Sequence, residues 1–364
     1  MEIHTWPRKD TAFVVIHGAG AHRPFKRLDD FVRGFWQVLQ GPNPNVQWRH
    51  KLQRHEGWIE SYVSLAVEGK PALDFYEYYW DCYMDHEINL VDVIRWFDLV
   101  SSGAKKFYRA KPEDRGPRAG EYLKLLGPVG RLLGGLYRLR ITRIPVLGTS
   151  LTLFLNRLSR RVVELAGDVV IYVEADVRSQ NYAIRQKVLR GAVEELKLLL
   201  EAGRYDQVIV AGHSLGSLIS YDALNRITLD VNAGGGIPLK EAQKIAGLVT
   251  FGSPLDKVAF FFHQHTRDQE YVRRQILAHL HAFKRRLPPG KQNPVSIDNP
   301  IQHRMDQIQW LNFYHPRDPV SDSLVAYQVD RNIACDAPVR GTAQAHEAYW
   351  TWDGMYEAIG EAFF

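Results

Sequence analysis

The sequence predicts an α/β protein with a doubly wound, mostly parallel sheet, and two regularities of the 364-residue chain support that class. Short apolar runs rich in β-branched and aromatic residues recur along the chain, and segments with helical apolar spacing separate them. The run at 208–210 is β-branched throughout, as in a parallel strand that is buried on both faces. Hydrophobic residues make up 45% and charged residues 24% of the chain, which excludes a disordered or fully membrane-embedded protein.

The predicted strands alternate with helices along the chain. We predict strands at 12–16, 75–82, 207–211, 245–251, 309–314 and, as a short sixth strand, 326–329. We predict helices at 28–39, 182–202 and 215–226. A long insertion at 100–166 interrupts this pattern, so we expect a single domain over residues 1–364 to which the insertion is added.

The pentapeptide GHSLG at 212–216 lies between a predicted strand and a predicted helix. A serine on a sharp turn of this kind projects its hydroxyl away from the backbone, and glycines two residues to either side leave room for the turn. The alternative is that Ser214 is the N-cap residue of an ordinary helix. Capping accounts for the serine but not for both glycines, so the pattern favours Ser214 as a nucleophile.

A serine nucleophile needs a base and an acid that orients the base. The acid is expected on a loop after a strand that follows the serine, and Asp318 lies directly after the strand predicted at 309–314. The base is expected later in the chain, where His346 lies. Asp256, which follows the preceding predicted strand, is the alternative acid, and Asp322 is a third candidate.

The other histidines are expected to have other roles. We expect His213, beside the serine, to point away from the site, and His315, near Asp318, to be structural. Histidine pairs two residues apart point to different faces of a helix, so we expect no metal site. The chain contains no phosphate-binding or dinucleotide-binding glycine pattern, so we expect no cofactor.

The same segments resemble a known superfamily. GHSLG after a buried strand, HG at 17–18 after the first strand, DPV at 318–320 after a late strand and HEAY at 346–349 together resemble the α/β-hydrolase superfamily. The resemblance is greatest to the lipase and esterase branch. It covers residues 10–100 and 167–350 and does not include the insertion.

The resemblance implies an α/β-hydrolase fold and a serine hydrolase that cleaves carboxylic esters through an acyl-enzyme. It implies that Ser214 is the nucleophile, His346 the general base and Asp318 the carboxylate that orients the base. It also implies an oxyanion site formed by the backbone N–H groups of Ala19 and Leu215. Thioesterases, acyltransferases and peptidases share the same core, so these activities remain alternatives.

The insertion contains a strongly basic segment. Residues 105–161 carry 14 Lys or Arg residues against three acidic ones, a net charge of +11 in a chain whose total is +5. The apolar run at 144–155 is too short for a membrane-spanning helix, which needs about 20 apolar residues. Three interpretations stay open: a cap over the active site, a basic amphipathic surface for an anionic membrane, or structural packing alone.

These features predict the partners and the location. We expect a small-molecule or lipid ester as substrate, peripheral membrane contact through 105–161, and no nucleic acid partner, because apolar residues interleave with the arginines of that segment. The first residues reach a predicted strand without a basic and apolar leader, so we expect a cytoplasmic protein that associates with membranes if the insertion binds lipid. The alternative function is a membrane-surface or protein-binding module on a hydrolase scaffold with little catalysis.

Overall fold

The computed structural model describes residues 6–20, 23–55, 58–83, 180–256, 280–285, 304–318 and 320–364, together with residues 270, 272, 276 and 302. The chain divides into two compact units, of which the first comprises 1–18, 22–80 and 188–364 and the second comprises 19–21 and 81–187. The sheet and the residues Ser214, Asp318 and His346 belong to the first unit. The predicted insertion at 100–166 lies outside the described residues.

One eight-stranded sheet forms the centre of the first unit. Its strands are β1 (Thr11–Ile16), β2 (Gln47–His55), β3 (Trp58–Ala66), β4 (Leu73–Tyr78), β5 (Gln207–His213), β6 (Ile245–Phe251), β7 (Gln309–Tyr314) and β8 (Arg331–Ala334). The spatial order is β2-β3-β4-β1-β5-β6-β7-β8. The six strands from β4 to β8 run parallel, whereas β2 and β3 are antiparallel to their neighbours. The predicted α/β class with a mostly parallel sheet is therefore confirmed.

Helices cover both faces of this sheet. They are α1 (Lys26–Gln40), α2 (Gln180–Glu201), α3 (Leu215–Asn232), α4 (Leu239–Ala242), α5 (Thr342–Glu347) and α6 (Asp353–Phe363), with short 3-10 helices at Asp81–Tyr83 and Ala348–Thr351. On one face Phe13 of β1 packs 5.0 Å from the ring of Phe35 in α1. On the other face Trp310 of β7 lies 5.8 Å from the ring of Tyr221 in α3. Leu311, the next residue, belongs to the Phe13 core, because successive strand residues point to opposite faces.

The strands that carry the candidate site lie close to their predicted positions. The strand predicted at 207–211 extends to 213, and those predicted at 245–251 and 309–314 are found at those residues. The strands β5 and β6 are nearly continuous apolar runs, because helices bury both faces of the parallel strands.

Two predictions at the ends of strands were wrong. The strand predicted at 75–82 ends at Tyr78, and the residues from Asp81 to Tyr83 form a 3-10 helix. The strand predicted at 326–329 is absent: Tyr327 makes only an isolated bridge, and β8 begins at Arg331. β8 is short, polar and largely exposed. The strand prediction relied on apolar residues, so it selected 326–329 in place of this polar edge strand.

The hairpin of β2 and β3 was missed altogether. Its two strands pair over nine residue positions and extend the sheet beyond β4 as an antiparallel edge. The β2 sequence QWRHKLQRH is polar, and its apolar Trp48 and Leu52 are 40% and 66% exposed. An edge strand with so little buried surface shows no strong apolar alternation, which is the signal that predicts strands.

Candidate active site

Ser214 occupies a strained turn between β5 and α3. Its backbone has φ 51° and ψ −120°, a region that residues with a side chain rarely adopt. Such a conformation costs on the order of 1–3 kcal/mol and persists only where the surroundings enforce it. Here the Ser214 N–H donates to the carbonyl oxygen of Phe251 at 3.0 Å, which ties the turn to the end of β6.

The hydroxyl of Ser214 does not cap the helix. Ser214 is the N-cap residue of α3 by position, yet its side chain makes no capping hydrogen bond. Within the described residues its Oγ makes no other hydrogen bond, and the residue is half-buried. The N-cap interpretation therefore explains neither the strained backbone of Ser214 nor its hydroxyl, which makes no capping hydrogen bond.

The two glycines that flank Ser214, Gly212 and Gly216, are required because other backbone atoms approach them closely. A Cβ on Gly216 would lie 2.1 Å from the carbonyl oxygen of Ile16, and one on Gly212 would lie 2.5 Å from the carbonyl oxygen of Gly216. Gly18, after β1, is equally close, since its Cβ would lie 2.8 Å from Cβ of Ser214. The loop after β1 therefore packs directly against the serine, and the predicted role of the two flanking glycines is confirmed.

His346 and Asp318 are in direct contact. His346 lies in α5, and its Nδ1 is 2.9 Å from Oδ2 of Asp318, on the loop that follows β7. Asp318 is only 1% exposed. Its other oxygen, Oδ1, accepts a hydrogen bond from the N–H of Val320 at 2.8 Å, so the carboxylate is held at both ends. His346 Nε2 makes no hydrogen bond within the described residues, which leaves it available to a partner in the site.

The electrostatics keep Asp318 ionised. Burial alone would raise its pKa, but hydrogen bonds from His346, Val320 and Tyr349 and the charge of the imidazole outweigh burial. The net effect holds the pKa of Asp318 well below its usual range. A carboxylate that is always charged can hold Nδ1 as the protonated nitrogen and leave Nε2 as the basic one.

The other two candidate acids contact backbone instead. Asp256 accepts hydrogen bonds from the N–H groups of Val325 at 2.8 Å and Ala326 at 3.3 Å, so it anchors the loop before β8. Asp322 accepts one from the N–H of Ser323 at 2.9 Å. Among the described residues, Asp318 is the carboxylate that contacts His346.

His213 links the serine turn to His346. A carbonyl oxygen can only accept, so His213 Nε2 donates to the carbonyl oxygen of His346 at 2.9 Å, and the two rings lie 4.8 Å apart. Burial, followed by the charges of His346 and Arg27, lowers the pKa of His213 well below its usual value, so the ring is neutral. The expectation that His213 points away from the site was wrong.

Gly252 brings these groups together. His213 pairs with Phe251 in the sheet register, so Ser214 and Gly252 leave adjacent strands side by side. Gly252 has φ 62°, and a Cβ there would lie 3.1 Å from His213 Nε2 and 3.2 Å from His346 Cε1. His213 and His346 thus border the same glycine, and no hydrogen bond joins Ser214 to His346 among the described residues. Hydrogen bonds of this kind are often long or absent before substrate binds.

The two predicted oxyanion donors lie in different compact units. Leu215 is the first residue of α3, so its N–H has no partner four residues earlier within the helix. Ala19 is buried but belongs to the second compact unit, and its part in an oxyanion site stays a prediction. His315 donates its N–H to Tyr349, which agrees with the structural role expected for it.

Comparisons with known proteins add no relative: the chain matches no protein-family model, no curated protein and no solved structure. The resemblance to the α/β-hydrolase superfamily therefore stays a prediction from the motifs. Within the described ranges, no three His, Cys, Asp or Glu side chains are grouped so that they could hold a metal ion. A search of the same residues finds no helix whose length and apolar character would allow it to cross a membrane.

Proposed function

We propose that the protein is a serine hydrolase that cleaves carboxylic esters through an acyl-enzyme. The observation that carries the proposal is the strained Ser214, whose hydroxyl caps nothing, directly after His213, which is bonded to the backbone of a histidine that a buried carboxylate holds. A helix cap alone needs neither the strain nor the His346–Asp318 pair. Nucleophilic catalysis needs both, because the serine must be exposed and its base must be oriented.

The proposed reaction has two halves. Ser214 Oγ attacks the ester carbonyl carbon while His346 Nε2 takes the hydroxyl proton, and the carbonyl electron pair moves onto oxygen. That oxyanion accepts a hydrogen bond from the N–H of Leu215, the residue after the nucleophile. The intermediate then expels the alcohol, which takes the proton from His346. Water attacks the acyl-enzyme by the same sequence, releases the acid and restores Ser214.

Asp318 supports both halves without exchanging a proton. Each half passes through an imidazolium on His346, and the fixed negative charge of Asp318, 2.9 Å from Nδ1, stabilises that cation. Because the carboxylate is 1% exposed, water screens this attraction little.

Fluorophosphonate labelling tests the nucleophile directly. The wild-type protein should become labelled and should hydrolyse short-chain nitrophenyl esters, whereas Ser214→Ala should do neither. Ser61→Ala is the matched control, because Ser61 lies on the edge hairpin and bonds to His50. Labelling that survives in Ser214→Ala, with the adduct mapped elsewhere, would contradict the assignment.

The leaving group is tested separately. Thioesterase, acyltransferase and peptidase activities would use the same Ser214, His346 and Asp318. Parallel assays with matched nitrophenyl ester, thioester and anilide substrates, with and without an acceptor alcohol, rank these reactions. We expect the ester to have the highest kcat/KM, and a higher value for the thioester or the anilide would reassign the reaction class.

Peripheral membrane contact is a second proposed function, and the net charge of +11 at 105–161 favours it. Each basic residue near an anionic surface contributes about 1 kcal/mol, so this segment could hold the protein on a membrane reversibly. In flotation, we expect binding to phosphatidylserine vesicles that falls with salt, and none to phosphatidylcholine vesicles. Ser214→Ala should bind as the wild type does, which separates this function from hydrolysis. Equal binding to both vesicle types would exclude the electrostatic contact.

A further inference from the structure

Tyr349 lies one helical turn after His346 and reaches the same carboxylate. Its side chain is fully buried, and its hydroxyl lies 2.9 Å from Oδ2 of Asp318. The hydroxyl is also 2.8 Å from the backbone nitrogen of His315 and 2.8 Å from Oγ of Ser321. His346 and Tyr349 thus meet at Asp318, and His315 and Ser321 meet at the Tyr349 hydroxyl.

The directions of these hydrogen bonds are determined by chemistry. An ionised carboxylate can only accept, so the one hydroxyl proton of Tyr349 points to Asp318. The phenolic oxygen then accepts from the N–H of His315 and from the hydroxyl of Ser321, which fills both of its lone pairs. Burial, reinforced by the charge of Asp318, raises the pKa of Tyr349 well above its ordinary value, so the phenol keeps this proton.

Asp318 Oδ2 therefore receives two donors, Nδ1 of His346 and the hydroxyl of Tyr349. We propose that Tyr349 is a positioning residue that aims Oδ2 at His346 and moderates how strongly the carboxylate holds the imidazole proton. The catalytic meaning of this role rests on the proposed hydrolase function. The coupling between Tyr349 and His346 through Oδ2 of Asp318 does not depend on that function, because both hydrogen bonds are present in the protein without substrate.

Removal of the Tyr349 hydroxyl has two expected consequences. The carboxylate loses a donor at Oδ2, so more negative charge faces Nδ1 and the hydrogen bond from Nδ1–H to Oδ2 becomes stronger. The carboxylate also loses one of its side-chain anchors, so its orientation is less restricted. Other titratable or charged groups close to Asp318 or His346 include His213 at the end of β5, Arg27 of α1 with its partner Glu347 of α5, His315 on the loop after β7, and Cys335 and Asp336 after β8. A Tyr349→Phe change leaves all of them in place.

Tyr349→Phe tests the proposal, with Tyr356→Phe as the matched control. Tyr356 is also fully buried, and its hydroxyl donates to the carbonyl oxygen of Trp350 at 2.9 Å, away from Asp318. The first readout is the low-field proton NMR signal of His346 Nδ1–H, assigned by its absence in His346→Gln. We expect it to move downfield in Tyr349→Phe, because the bond to Asp318 becomes stronger, and to stay at the wild-type position in Tyr356→Phe.

Kinetics supply the second readout. For Tyr349→Phe we expect kcat to fall about three- to tenfold at unchanged KM. Ser321→Ala removes one donor to the phenol and makes it a weaker donor to Asp318, so it should move the NMR signal in the same direction by a smaller amount. That variant keeps the test decisive if Tyr349→Phe does not fold.

Two results would overturn the proposal: an Nδ1–H signal unmoved in Tyr349→Phe and Ser321→Ala, or an equal displacement in Tyr356→Phe. Either would reduce Tyr349 to a packing residue. Failure of the proposed hydrolase function has a different signature, since an inactive and unlabelled wild-type protein would still show the NMR displacement if Tyr349 acts on Asp318.

Discussion

Asp318 and Glu195 are two carboxyl groups of the same unit whose pKa values shift in opposite directions on folding. Asp318 is surrounded by donors, and these hold its pKa well below the usual range. Glu195 of α2 meets another carboxyl, that of Glu60 on β3. Burial first, then the hydrogen bond and the charge of Glu60, raise the pKa of Glu195 to about 9. Burial raises the pKa at both sites, so the groups that contact each carboxyl decide the direction of its net pKa shift.

The two carboxyl groups have opposite effects on stability as pH changes. The pKa of Asp318 is lower in the folded protein than the unfolded value of about 3.9, so its contribution is present above that pH and is lost as pH falls through the acid range. The pKa of Glu195 is raised in the folded protein. Its contribution is therefore present below about pH 4.3 and is lost as pH rises toward about 9. The surroundings of Asp318 stabilise its charged form, and those of Glu195 stabilise its protonated form.

Asp318→Asn removes the charge at the first site and has the largest expected effect. The amide can offer its N–H₂ to His346 Nδ1, which favours the tautomer with the proton on Nε2 and disables the base. We expect kcat for nitrophenyl esters to fall by about 10³ to 10⁴, with KM within a few-fold of the wild-type value. Stopped-flow or single-turnover assays would measure the loss, with circular dichroism as a check on folding. A loss below tenfold would show that Asp318 does not orient the base.

Glu195→Gln acts on the second site in the opposite direction. Glutamine keeps a donor toward Glu60 at every pH and cannot ionise, so the repulsion between two carboxylates never arises. We expect the free energy of unfolding to rise by about 1–3 kcal/mol at pH 9 and to change little at pH 5. Urea unfolding at the two pH values would measure the difference. A variant less stable than wild type at pH 9 would mean that Glu195 is ionised there and bound by a donor.

The different predictability of the two sites has a physical reason. Ser214, Asp318 and His346 could be predicted because each lies in a short segment with its own signal and because the three follow one another in a chemically meaningful order. Glu60 and Glu195 are 135 positions apart and have no local signal; only the packing of β3 near α2 reveals them. The polar β2–β3 hairpin, which places Glu60, was itself missed.

Contacts that depend on register could not be read from the sequence either. His213 reaches the carbonyl oxygen of His346 because β5 and β6 end together and Gly252 turns with a positive φ. The spacing of His346 and Tyr349 was visible in the chain, but the convergence of both on one carboxylate oxygen depends on the loop after β7. Local sequence patterns thus predict the candidate site residues. The register of the strands decides which other side chains contact those residues.

Asp256→Asn compares a second buried carboxylate with Asp318 and has the smallest expected effect of these substitutions. Asp256 is a buried carboxylate like Asp318, but its partners are the backbone N–H groups of Val325 and Ala326. Asparagine can still accept one of these bonds through its carbonyl oxygen, so we expect a loss of about 1 kcal/mol in unfolding free energy and a change in kcat below about threefold. The same ester assay and urea titration used for Asp318→Asn would measure both. A fall in kcat as large as that of Asp318→Asn would make Asp256 part of the catalytic apparatus. Asp256 accepts hydrogen bonds from two backbone N–H groups, whereas among the described residues the carboxylate in contact with His346 is Asp318, so the small effect follows from geometry and not from distance along the chain.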